Sequence, residues 1–471
     1  MKQQLKSFSE FAHALYPHEI SYLLKDNKLQ GKDSLRILQL IHYNSQNPTN
    51  RLPFDPKIDK RKYSNIKKWI QEKLAKLDVD IFLATIKDLE QKIMTDAISA
   101  EEEKQLITYL NNITPSDYYF LQFYELVQHF RDFLLIRIRM LYYESVSEYL
   151  DKYKEHYIKV MNINYELNNA SFDIIKQQSS SDKESEQWIQ FLTDTFHDKN
   201  LDGYTRYRAV VRLLYVYYNY RRFDEMKEIT DILDRTLHSP IFYSKRILAN
   251  FYANRSMMYQ KRNELEEAVD YGYLSIRQQN SDYLFYINNL CGILLKQKKY
   301  KEAIKLMQNT IPEMKQTNSF YNRIGFVSLY LRTLLVNGKV EQAASYGETF
   351  SNTYRKEIFA HRWHGFYTAF LQVLLEQRSY KKLLSIIKRN DLVKKEREFL
   401  GQAKYLPTIQ WYYWLAAYLE AEKSEKETAQ QLQKSITELR KNQHKENKIN
   451  QLIEEVKPHI PDVIRLLNQK K

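Results

Sequence analysis

The stretch YQKRNELEEA, residues 259–268, decides how this chain folds. It reads as the end of one helix, a polar turn and the start of the next. Tyr259 closes an apolar run, Lys261, Arg262 and Asn263 fill the turn, and Leu265 and Ala268 open a new buried face at helical spacing. Working outward, the same phrase recurs. YYNYRRFDEM ends at Met226, LKQKKYKEA at Ala303, LVNGKVEQA at Ala343 and LEQRSYKKL at Leu383, at separations of 42, 35, 40 and 40 residues. Such a period is that of a helix pair with its turns.

The residue closing each phrase begins the buried face of a second helix. Ala268 leads to Val269, Gly272 and Ile276, and Ala303 leads to Ile304, Met307 and Ile311. Small side chains at a crossing admit helix axes within about 8–10 Å of each other. Ser256 and Cys291 each stand twelve residues before one of these alanines and are expected at the facing position on the first helix. Cys291, the lone cysteine, is therefore read as packing, and no intrachain disulfide is possible.

The pattern resembles the tetratricopeptide-repeat family. The matching residues are Tyr259, Leu265 and Ala268 in one unit, then Leu290, Leu294, Tyr300 and Ala303, then Leu334, Gly338, Val340 and Ala343. Leu374 with Tyr380, and Tyr217 with Phe223, extend it on either side. The match spans about residues 200–390 and continues toward 440 through TIQWYYWLAAYLEAEKSEKETAQQLQKSI. Met226 and Leu383 stand where the family has alanine, and its proline between units is mostly missing.

The resemblance implies an all-α fold in which hairpins over 188–440 stack into a right-handed superhelix, with the first helix of each pair lining a concave groove. It would place Arg208, Arg212, Tyr215, Tyr218, Asn219, Asn254, Met257, Lys261, Asn289, Lys296, Arg332 and Gln372 along that groove. The groove would be basic and rich in amides. A set of lysine, asparagine and arginine that grips a peptide's terminal carboxylate is matched only by Asn254 and Asn289, with Val211 and Ala253 at positions in step with the others. Recognition of a chain terminus is therefore not expected.

The function implied is a non-catalytic scaffold that binds a protein or peptide segment in the groove. A second reading is nucleic-acid binding, with Tyr215 and Tyr218 stacking on bases and lysines on phosphates. A third makes the N-terminal region an effector controlled by the repeats. On the first reading Arg212 faces the groove, so that Arg212→Glu would weaken a partner and leave folding intact, whereas Ala303→Leu would overpack a helix crossing.

The rest of the chain fits helices. Of 471 residues only 9 are Gly and 10 are Pro, too few for many tight turns, while 43% hydrophobic and 14% aromatic content indicates an ordered chain. Residues 1–97 read as short amphipathic helices, with Ser7 and Glu10 in capping-box spacing, a proline-containing loop over 44–59, and a basic helix KRKYSNIKKWIQEKLAKL. Ser99 and Glu102 form a second capping box. Residues 98–176 read as long aromatic-rich helices, unbroken from the ThrProSerAsp of 114–117 to about 170. The polar run KQQSSSDKESEQ, 176–187, is the expected linker, and 441–471 the expected capping helices.

The net charge of +14 is a mild excess, with 72 basic against 58 acidic residues, and favours anionic partners only modestly. MKQQLKSFSEFAHALY lacks the apolar core of a secretory signal, and no run approaches the length of a membrane span, so a cytoplasmic location is expected. HEIS at 18–21 lacks the second histidine of a zinc helix, and GKDS at 31–34 lacks the upstream glycine of a phosphate loop. HRWH at 361–364 offers two histidines with no visible third ligand. Neither enzymatic activity, nor a cofactor, nor a metal is expected.

Overall fold

The computed structural model describes residues 5–25, 31–48, 50–179, 184–399, 406–440 and 445–468. Helix is the only regular secondary structure among them, so the fold is all-α. No helix among the described residues is long and apolar enough to cross a membrane. The chain divides into two compact units, Met1–Asn280 and Ser281–Lys471, a division that falls within the stretch expected to form one array.

The first unit opens with four helices, α1 (Lys6–Ala14), α2 (Pro17–Lys25), α3 (Lys32–Gln46) and α4 (Lys60–Leu77). Then come α5 (Val79–Met94), α6 (Ala100–Asn112), α7 (Phe120–Ile136) and the 40-residue α8 (Met140–Ser179). After α9 (Ile189–His197), two hairpins close the unit: α10 (Gly203–Asn219) with α11 (Phe223–Leu237), and α12 (Lys245–Arg262) with α13 (Leu265–Ser275). The second unit begins with α14 (Tyr283–Lys296), α15 (Tyr300–Asn309), α16 (Ile311–Gln316), α17 (Phe320–Val336) and α18 (Val340–Thr353). It continues through α19 (Arg355–His361), α20 (Trp363–Glu376), α21 (Tyr380–Arg389) and α22 (Leu392–Arg397). It ends with α23 (Thr408–Leu419), α24 (Glu425–Arg440), α25 (Glu446–Val456) and α26 (Pro461–Asn468).

One turn geometry joins eight of the helix pairs. At Asp96, Ile138, Arg221, Asn263, Lys298, Gly338, Arg378 and Ala421 the backbone is left-handed, with φ between 56° and 72°. In each case this residue donates its N–H three residues back, and the next residue donates five back, as Asn263 does to Gln260 and Glu264 to Tyr259. These paired bonds satisfy carbonyls left free at a helix end and turn the chain into the next helix. Only Gly338 among the eight is the glycine that a left-handed position favours.

The residues that close the recurring phrase are buried as the spacing requires: Met226, Ala268, Ala303, Ala343 and Leu383 are all fully enclosed. The Ser256 hydroxyl donates to the Ala268 carbonyl at 2.6 Å, and the Cys291 Sγ lies 3.9 Å from the Ala303 carbonyl. Burial pushes the Cys291 thiol up to about 12, which suits a packing residue. In the second unit α18 approaches α20 closely at Gly347, where an added Cβ would lie 2.5 Å from the Phe370 ring.

Three local expectations need correction. Ser7 does not cap α1: the helix starts at Lys6, one residue earlier, with Leu5 at its N-cap and no side-chain cap. Ser99 and Glu102, by contrast, make both bonds of a capping box. The run from 114 to 170 is broken at Ile138, between α7 and α8, without proline or glycine. Tertiary contacts hold this turn. Arg137 reaches Asp96 at 2.5 Å and covers the Phe133 ring, while Arg139 pairs with Glu103. The run 176–187 begins as the last turn of α8 and has residues 180–183 outside the described set. Trp188, just beyond it, donates from Nε1 to Asp173 on α8 at 2.8 Å.

The N-terminal segment of the chain docks on the end of α11 and the connection leading to α12. Tyr22 donates to the Leu237 carbonyl, Tyr243 donates to Glu19 at 2.6 Å, and Val79 donates its N–H to the Tyr243 carbonyl at 2.9 Å.

Candidate binding surface

Of the twelve positions expected along a groove, eight fall in the first unit and four in the second. In the first unit, α8 lies across the face of α10 that carries Arg208, Arg212 and Asn219. Its inward residues Val160, Leu167, Ala170 and Ile174 are buried, and Val160 packs with Leu121 and Leu201. Arg208 donates to Asn164 and, at 2.6 Å, to Asn168. Arg212 Nε donates to the Leu167 carbonyl at 2.9 Å and to the Ser171 hydroxyl at 2.6 Å, and its Nη1 reaches the Arg208 carbonyl. Asn219 donates to the Ile174 carbonyl at 3.4 Å. These three side chains seat α8. Burial, aided by the neighbouring Arg208 charge, pushes the Arg212 guanidinium down to about 10.

The other five divide between packing and solvent. Tyr215 is exposed. Lys261 places its ammonium 5.1 Å from the Tyr218 ring centre, a cation–π contact between the two hairpins. Asn254 donates to Asn250 at 3.0 Å, and Asn250 also accepts the Tyr207 hydroxyl. Met257 is half-buried.

In the second unit, the Asn289 amide nitrogen is buried without a hydrogen bond, while Lys296 and Arg332 are exposed and Gln372 is half-buried. Arg332 comes within 3.5 Å of the Thr368 hydroxyl. Nearby, the C-terminal α25 brings in Glu455, which accepts the buried Tyr412 hydroxyl. Burial raises the Glu455 carboxyl even though the Tyr412 bond and the Arg332 charge oppose it. The two histidines of HRWH diverge: His361 stacks on Phe320, and His364 Nε2 meets Glu396 at 2.7 Å.

A different surface among the described residues carries a solvent-facing apolar stripe. On α8, Ile158, Met161, Tyr165, Phe172 and Ile175 recur at spacings of three, four, seven and three residues and are 44 to 68% exposed. Asn168 occupies the intervening position. The side chains share one helix face, opposite the buried Val160, Leu167 and Ile174. At the tip of the α7–α8 hairpin, Leu135 and Ile136 at the end of α7, Ile138 in the turn, and Met140 and Leu141 at the start of α8 are also exposed. The stripe was legible in the sequence as apolar spacing; that it faces solvent was not, because α8 carries apolar residues on both sides.

No family model, curated protein or solved structure matches this chain at a meaningful level.

Proposed function

We propose that this chain is a non-catalytic interaction scaffold, built of tetratricopeptide-like hairpins, whose long α8 receives an amphipathic helix of a partner protein. The observation that carries the reading is the exposed stripe of Ile158, Met161, Tyr165, Phe172 and Ile175. Five large apolar side chains in solvent at helical spacing match what a helix-in-groove or helix-on-helix contact requires, and isolated surface apolar residues do not make such a row. Between 157 and 175 the only charged residues are Lys159, Glu166 and Asp173. The outward face is thus suited to apolar contact rather than to phosphates.

The hairpin turns recurring from Arg221 to Ala421 at intervals of 35 to 43 residues support the tetratricopeptide-like part of the proposal. They suit a rigid frame on which a binding helix is displayed. Binding in a groove lined by Arg208 and Arg212 is not part of it, since α8 occupies that face.

A displayed library of helical peptides selected on the full chain tests the reading. Enriched peptides should carry apolar residues at i, i+3, i+4 and i+7 and should lose binding to a Tyr165→Asp, Phe172→Asp double variant. Absence of enrichment, or equal binding to the variant, overturns it. A concentration-dependent dimer abolished by the same double variant would assign the stripe to a second copy and overturn the heterologous partner.

A further inference from the structure

We propose that His18, Asp234 and His238 form a binding site for a transition-metal dication of the zinc class. The inference is independent of the scaffold reading. Each of the three residues offers one ligand atom, and these atoms all lie within 4.8 Å of one another. Two imidazoles and one carboxylate are a donor set that suits zinc, with a fourth position left for water.

The site is assembled from distant parts of the first unit. His18 stands in the first turn of α2, Asp234 in the last turn of α11, and His238 one helical turn after Asp234. The His18 side chain is 6% exposed, and its Nδ1 lies 2.6 Å from the hydroxyl of buried Tyr252. With Nδ1 donating to Tyr252, the lone pair is left on Nε2, the arrangement in which an outer partner orients a metal-binding imidazole.

His18 Nε2 is 3.0 Å from Asp234 Oδ1 but is not aligned with it as a hydrogen bond, so a buried nitrogen is left without one. A metal ion between Nε2 and Oδ1 would take a lone pair from each. His238 is exposed, giving an ion a way in, and its Nδ1 lies 2.8 Å from the Asp234 carbonyl.

The surrounding charges set the terms. Arg255 Nη1 lies 3.1 Å from Asp234 Oδ2 and its Nη2 lies 3.0 Å from Asp231, which also pairs with Lys227. Lys25 reaches the His238 carbonyl at 3.2 Å. Arg255 thereby holds one carboxylate oxygen and leaves Oδ1 to bind the metal through a single oxygen. Bound metal would clip α2 to the end of α11.

Titration of the full chain with Zn²⁺ against a chromophoric chelator should give one tight equivalent per chain and a raised thermal midpoint. His238→Ala, at an exposed position, should keep the metal-free midpoint and lose both the equivalent and the shift. His238→Cys should retain one equivalent of Co²⁺ and add a thiolate charge-transfer band. No stoichiometric binding by the wild type, binding unchanged in His238→Ala, or bound Co²⁺ without the thiolate band in His238→Cys would each overturn the site. The last two results would place the metal on other histidines.

Discussion

At the scale of single residues, Ile138, Ala303 and Arg212 each make a definite claim. A β-branched side chain in the left-handed region is strained, and Ile138 holds φ 56° while 81% exposed, so its side chain gains little from burial in return. Ile138→Gly should relieve about 1–2 kcal/mol of steric cost against about 0.5–1 kcal/mol of added chain entropy. The expected result is a thermal midpoint a few degrees higher; a lower midpoint would contradict the strain. Ala303 is fully enclosed at its helix crossing, and Ala303→Leu should cost about 1–3 kcal/mol in denaturant unfolding. Arg212 differs from its expected role as a free groove residue. Its bonds to Leu167, Ser171 and Arg208 make Arg212→Glu a loss of about 1–3 kcal/mol, because a carboxylate would face carbonyl oxygens. Equal stability of Arg212→Glu and wild type would return Arg212 to solvent.

Among the elements, α23 illustrates a helix whose start is fixed from elsewhere. Thr408–Leu419 is preceded by Pro407 at its N-cap, with no local side-chain cap. Glu396 of α22, fully buried, accepts the N–H groups of Ile409 at 3.0 Å and Gln410 at 2.8 Å and also contacts His364 Nε2. A carboxylate at a helix N-terminus answers both the free donors and the helix dipole. Glu396→Ala should therefore cost about 2–3 kcal/mol. Hydrogen exchange should accelerate in the first turn of α23 while α14 stays protected; uniform protection would show that the cap is dispensable. The recurring turns argue the same way. Gly338, and more weakly Asn263 and Asp96, advertise a left-handed residue, whereas at Ile138, Arg221 and Lys298 the two backbone bonds and neighbouring contacts impose the geometry on side chains that do not favour it.

At the scale of the whole molecule, buried carboxyls with raised affinity for their proton make one contribution to the pH dependence. Asp202 caps α10 by accepting the Thr205 N–H at 2.9 Å, and burial, opposed by that bond, raises its carboxyl to about 6. The folded state then holds this proton more tightly than the unfolded chain, whose carboxyl titrates near about 4. Its contribution is fully present below about pH 4 and is lost as pH rises through about 6, a fall of roughly 2–3 kcal/mol. Glu19, fully buried and likewise raised, acts in the same direction. Asp202→Asn keeps an acceptor at the cap and should flatten this decline in unfolding free energy; an unchanged pH profile would place its source elsewhere.

The sequence by itself determined the all-α class, the hairpin phrase and its small buried residues, because helical periodicity and the near absence of glycine and proline are local facts that burial at Ala268, Ala303 and Ala343 follows directly. It did not determine which face of a helix stays in solvent. Leu167 and Phe172 of α8 are both apolar, and only the docking of α8 on α10 buries the first and exposes the second. The same holds for Arg208 and Arg212, whose partners lie 40 to 45 residues away, and for His18, 216 residues before Asp234. A side chain's period fixes its direction around its own helix, but what it meets there depends on contacts between segments that no local pattern encodes.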